Sequence, residues 1–137
     1  MFTKKKKKIL VVDDDDCVVQ LLRMCFQDQY EVLVASNVAD GLEIVATKQP
    51  NLVLMDVLMH GQSGIDGLRI IRGMNPSIPV IMQSGSAGND TVEAAEALGA
   101  DGFLMKPFDI SEMARVIANT LELQEFTQAC ARDVLCA

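Results

Sequence analysis

Five side chains suited to polar chemistry stand at the ends of short apolar runs. Asp13 and Asp14 follow Ile9-Leu10-Val11-Val12, and Asp56 follows Leu52-Val53-Leu54-Met55. Ser84 follows Val80-Ile81-Met82-Gln83, and Lys106 follows Gly102-Phe103-Leu104-Met105. Three of the five are carboxylates. Gathered in one crevice about 5 Å apart, each pair would cost roughly 3 kcal/mol at an effective dielectric near 20. Such a cluster calls for a cation, and an all-oxygen donor set with room for water suits Mg²⁺. Lys106 adds a second, fixed positive charge. A metal, an ammonium and a hydroxyl converging on one carboxylate can neutralise and orient a phosphoryl group. Asp56 is then the natural nucleophile, attacking phosphorus in line to give an acyl phosphate. Being already ionised, it needs no general base. Each residue alone has a plainer reading, as an acidic turn, a turn former or a surface loop. The functional reading rests on their conjunction.

The elements that must position these groups alternate five times between short apolar runs and amphipathic segments. Ile9 to Val12 is a strand stopped by acids, and residues 16 to 28 carry Val18, Leu21, Leu22, Cys25 and Phe26 at helical spacing. Val32 to Ala35 is a second strand, after which Ser36 or Asn37 can cap a helix carrying Leu42 and Val45. Leu52 to Met55 is the third strand, followed by a Gly-rich loop and a helix from about Ile65 to Met74. Val80 to Met82 begins the fourth and runs into a polar loop at Gln83-Ser84-Gly85-Ser86. A helix over residues 90 to 98 has a mostly alanine face, so its packing should be weak, and Gly99 can close it. Gly102 to Met105 is the fifth strand, and Asp109 can cap a last helix through Leu121. Strands apolar on consecutive residues are buried on both faces, as a parallel sheet covered by helices requires. The expected fold is a flavodoxin-like, doubly wound α/β sandwich with strand order 2-1-3-4-5. Strand order then reverses between strands 1 and 3, the place where such folds bind ligands, and Asp13, Asp14 and Asp56 meet there.

A chain of 137 residues, half of them hydrophobic, makes one domain with a sizeable core. The net charge of -7 argues against direct nucleic-acid binding. The basic run Lys4 to Lys8 reads as a solvated lead-in to the first strand rather than an anion or membrane contact. Cys17, Cys25, Cys130 and Cys136 lack metal-ligand spacing, which disfavours zinc. With no signal peptide and no apolar run long enough to span a membrane, a cytoplasmic protein is expected.

On Ile9 to Asp14, Leu52 to Asp56, Pro79 to Ser84 and Gly102 to Phe108, the sequence resembles the receiver domain of two-component response regulators, over roughly residues 7 to 123. The resemblance implies that Asp56 is the phosphoacceptor, and that Asp13, Asp14 and Asp56 hold Mg²⁺ with the backbone carbonyl of Leu58. It implies that Ser84 and Lys106 contact the phosphoryl oxygens. The phosphodonor would be a histidine kinase or a histidine phosphotransfer protein, and the recipient a downstream target protein or a second copy of the chain. It further implies that Ser84 moves toward the phosphoryl group while Phe103 turns inward, altering the face made by helix 4, strand 5 and helix 5. The protein would then be no enzyme beyond its own phosphorylation and dephosphorylation.

Two positions depart from the family pattern. His60 stands where proline is usual after Asp-x-x-Met; it either tunes the phosphate or metal site or, as is expected of a loop residue, faces solvent. Leu58, with Ser86, occupies a position that sets phosphate lifetime, and an apolar Leu58 should not orient an attacking water. Residues 1–123 are read as the receiver and 124–137 as a tail that extends the last helix, forms a linker stub, or frays. Two other function classes fit less well. A phosphorylation-independent docking module would leave the full acidic set unexplained. A small haloacid-dehalogenase-type phosphatase would use Asp13-x-Asp15, but it lacks the acidic motif after Lys106 and leaves Asp56 idle.

Overall fold

In the computed structural model, which describes residues 5–86 and 88–136 and side chains as far as Cys130, the apolar runs become the strands of one parallel sheet. The strands are β1 (Lys7–Val12), β2 (Tyr30–Ala35), β3 (Leu52–Asp56), β6 (Val80–Ser84) and β7 (Gly102–Met105). A two-stranded antiparallel hairpin, β4 (Leu58–Met59) and β5 (Gln62–Ser63), intervenes. The helices are α1 (Asp16–Phe26), α2 (Val38–Lys48), α3 (Gly64–Met74), α4 (Asn89–Ala97) and α5 (Ile110–Cys136). Sheet order is β2-β1-β3-β6-β7, all pairs parallel, which is the expected 2-1-3-4-5 order.

Side chains alternate across a strand, so each run feeds two cores. Leu10, Val12, Val53, Met55, Val80 and Met82 pack under α2, α3 and α4, against residues such as Val45, Leu68, Ile71 and Ala95. Ile9, Val11, Leu52, Leu54, Ile81 and Leu104 pack under α1 and α5, against Leu22, Phe26, Met113, Ile117 and Leu121. Carrying the alternation two residues further along each strand points Asp13, Asp56, Gln83 and Lys106 toward the α1–α5 face. Parity thus aims the polar set before any of its contacts form.

Capping sets where the helices begin. Asp15 accepts from the N–H groups of Cys17 and Val18, Asn37 from that of Asp40, and Ser63 from that of Ile65. Helix α4 is the least anchored: Gly88 offers no capping side chain, and Ala95 is its one buried residue. Gly99, at φ +83°, follows it as expected. The Gly-rich loop after β3 is the hairpin instead, turned through His60-Gly61, and it buries Met59 in the core. Two-residue strands are too short to show a period in sequence.

The lysine run has a structural task. Lys6 Nζ donates to the Gln27 carbonyl (3.0 Å) and Lys8 Nζ to the Lys48 carbonyl (3.1 Å), at the C-terminal ends of α1 and α2. Lys4 lies outside the described residues. Beyond the sheet, α5 is tied back by a Lys7–Glu125 ion pair and by Gln124 Nε2 donating to the Ser77 carbonyl (2.8 Å). Leu123 and Phe126 remain exposed, and the side chains of Val134 and Cys136 lie outside the described residues. Among the described residues, no helix is long and apolar enough to cross a membrane.

Candidate functional site

The register of the sheet assembles the site. β1 and β3 are neighbours, so their C-terminal ends bring Asp13 and Asp14 beside Asp56. Ligand oxygens of these three carboxylates lie within 4.8 Å of one another, with Asp13 and Asp56 buried and Asp14 half-buried. Lys106, just past the end of β7, reaches across β6. Its Nζ donates to Asp13 Oδ2 (2.8 Å) and to Asp56 Oδ2 (3.1 Å). The peptide joining it to Pro107 is cis, and the Phe108 ring centroid lies 5.8 Å from Nζ.

Each carboxylate is held differently. Asp13 accepts from the Asp15 N–H on Oδ1 (2.9 Å) and from Gln83 Nε2 on Oδ2 (3.3 Å). Asp56 accepts a long bond from the Leu58 N–H on Oδ1 (3.4 Å). Asp14 Oδ2 accepts from the His60 N–H (2.8 Å) and also touches His60 Nδ1. His60 is therefore exposed, as expected of a loop residue, yet bound to the site through both backbone and ring.

The electrostatics follow from burial and these partners. Burial pushes the Asp56 carboxyl above its usual range; the Asp13 charge adds to this, and Lys106 opposes it. Asp14 is held below its usual range, first by the His60 N–H. For Lys106, burial works against the charged form, but hydrogen bonds to Asp13 and Asp56 overcome it and raise its pKa.

Ser84 is buried at the end of β6, where its carbonyl accepts from the Lys106 N–H (2.8 Å) and its Oγ from the Ser86 N–H (3.2 Å); among the described residues, no hydrogen bond joins its hydroxyl to Asp56 or to the Lys106 ammonium. Phe103 is half-buried on β7 and packs against the α2–α3–α4 core, away from the carboxylates. Leu58 is 72% exposed. Sequence reasoning missed three features. Gln83 reads from sequence as part of a polar loop, although it lies within a buried strand one residue before its end; an amide following Val80-Ile81-Met82 is the available signal. The contact of His60 with Asp14 depends on the hairpin. Gly64 is the third: a Cβ there would lie 1.9 Å from the Asp56 carbonyl oxygen, while its N–H donates to the Val57 carbonyl (2.6 Å). Only glycine lets α3 start so close to the third strand.

The donor set fits a small hard cation. Three carboxylate oxygens within 4.8 Å of one another make an all-oxygen donor set of the kind such ions take, and one ammonium cannot balance three acids.

Fold and site together define a doubly wound α/β protein with an acidic, lysine-bridged cluster at its topological switch point. Residues 9–118 match the response regulator receiver domain family, and the chain belongs to it. It is 33% identical over 98 residues to sporulation initiation phosphotransferase F of Bacillus subtilis, covering 72% of this chain and 79% of that protein. It is 36% identical over 92 residues to the transcriptional regulatory protein ZraR of Klebsiella oxytoca, covering 67% of this chain but only 21% of that protein. The chain thus spans about a fifth of such longer regulators. Among solved structures, it resembles a CheY-like receiver domain protein from Methanospirillum hungatei (TM-score 0.87, 27% identity, 90% of this chain and 99% of that one). A receiver domain protein from Clostridium thermocellum is similar (TM-score 0.83, 31% identity, 88% and 98%).

Proposed function

We propose that this receiver domain of a two-component system is a Mg²⁺-dependent switch whose phosphoacceptor is Asp56. The observation that carries this reading is Lys106 bridging Asp13 and Asp56 inside a cluster of three carboxylates. Asp13, Asp14 and Asp56 would hold the ion, with the Leu58 backbone carbonyl as a further ligand. When bound, it supplies charge neutralisation for the acids and for the incoming phosphoryl oxygens.

An Asp56 carboxylate oxygen attacks phosphorus in line. The phosphorus–nitrogen bond of a phosphohistidine on a histidine kinase or phosphotransfer protein breaks, an acyl phosphate forms, and the imidazole leaves with the bonding pair and takes up a proton. Lys106 turns its ammonium from the carboxylates to the phosphoryl oxygens, and the Ser84 hydroxyl swings from the Ser86 N–H to join it. Phe103 turns inward behind Ser84, and the face of α4, β7 and α5 changes for a downstream protein or a second copy. The weak anchoring of α4 supports its part in this. The work takes place in the cytoplasm, with no direct nucleic-acid contact by this chain.

The test is intact mass after incubation with Mg²⁺ and acetyl phosphate, for wild type and Asp56→Asn. The expected result is one phosphoryl group gained by wild type alone, abolished by EDTA. Labelling of Asp56→Asn but not of Asp13→Asn would transfer the nucleophile to Asp13 and overturn the assignment. No labelling of wild type or of Asp56→Asn would leave a docking module.

A further inference from the structure

Beneath the carboxylates lies one polar side chain that the mechanism above does not use. Gln83 is fully buried one residue before the end of β6, after three apolar residues. Its Nε2 donates to Asp13 Oδ2 at 3.3 Å. Its Oε1 is buried and has no hydrogen-bond partner among the described residues. A half-satisfied amide destabilises a core relative to an apolar side chain of the same shape, so Gln83 does not serve the fold. Methionine would fill the same space and complete an apolar strand.

The use of the amide lies in the company it keeps. Asp13 Oδ2 has two donors, Lys106 Nζ at 2.8 Å and Gln83 Nε2 at 3.3 Å, and they differ in charge. A dication among the three carboxylates repels the ammonium, and a phosphoryl group on Asp56 draws it away. Neither disturbs a neutral amide. Asp13 Oδ1 is meanwhile held by the Asp15 N–H, so the loss of both donors on Oδ2 would free one end of the carboxylate to rotate.

We propose that Gln83 is a positioning residue that holds Asp13 in its metal-binding orientation once Lys106 has let go. This rests on the receiver reading of the site, with a divalent cation beside Asp13.

The test is calorimetric titration of the full chain with Mg²⁺, for wild type and Gln83→Met, with melting temperatures of both in EDTA. The expected result is a Kd for Mg²⁺ weakened about tenfold, as for other residues that orient a metal ligand, with the melting temperature in EDTA unchanged or raised. A lowered melting temperature with unchanged Kd would make Gln83 a packing residue and overturn the proposal, as would equal or tighter binding. Wild-type protein labelled with ¹⁵N provides a second measurement independent of how the variant folds. The Gln83 side-chain NH₂ signals should shift as Mg²⁺ saturates, and signals that stay put overturn the proposal. A wild type that binds no Mg²⁺ overturns the metal reading as well, which separates the two failures.

Discussion

Replacing Asp56 with asparagine should stabilise the metal-free protein at neutral pH, although it deletes the proposed nucleophile and an ion pair. Lys106 attracts Asp56 across 3.1 Å, worth about 5 kcal/mol at an effective dielectric of 20. Asp13, within 4.8 Å, repels it by roughly 3 kcal/mol, and the more open Asp14 adds about half as much. These nearly cancel. What remains is the cost of keeping a charge on a carboxyl 6% exposed to solvent. That cost runs to several kcal/mol for a deeply buried ion, and rim water reduces it here to a net gain for Asp56→Asn of about 1–2 kcal/mol. For a domain of this size the gain corresponds to roughly 5 °C in melting temperature. The pH dependence has a definite sign. Because the folded pKa of Asp56 lies above its ordinary 3.8, native protein resists ionising it, and wild type loses stability as pH rises through the folded value. The advantage of Asp56→Asn is therefore absent below the ordinary value and complete above the folded one. Melting in EDTA followed by far-UV circular dichroism across this range is the assay, since the chain has no tryptophan. Added Mg²⁺ should raise the wild-type transition and narrow the gap. An Asp56→Asn transition below wild type at neutral pH in EDTA would show that the Lys106 attraction outweighs burial, and would refute the reasoning.

Lys106→Met removes the cation shared by two buried carboxylates and should cost about 3 kcal/mol in EDTA, with Mg²⁺ restoring part of it; denaturant melts with and without the metal check this. Gly64→Ala places a methyl group against the Asp56 carbonyl and should destabilise by roughly 2–3 kcal/mol, because backbone rather than a flexible side chain must yield; urea unfolding gives the value. Leu58→Asn, at an exposed hairpin position, should leave stability unchanged and shorten the life of the acyl phosphate, because asparagine can orient a water where leucine cannot. Loss of the phosphoryl mass with time, compared between the two proteins, measures it.

The fold was largely legible because its determinants are local. Runs such as Leu52 to Met55 are apolar on consecutive residues only when both faces are covered, and Asn37 announces a helix start through its own side chain. Strand order followed from five alternating βα units and the chirality of their connections, and the sheet agrees. The gathering of Asp13, Asp14, Asp56 and Lys106 was legible for the same reason, since each ends a strand.

Contacts between residues distant in sequence had no such local signature. His60 reaches Asp14, 46 positions away, because a two-residue hairpin turns the chain back, and strands so short leave no period to read. Gln83 looked like the first residue of a loop. Only the pairing of β6 between β3 and β7 showed that it is buried, and only the fold put Asp13, 70 positions away, against its amide. The sequence by itself determined which groups end the strands and which elements carry them. Tertiary structure decided which donors those groups share, because hydrogen bonds across a sheet depend on register and depth, and neither is encoded by neighbours along the chain.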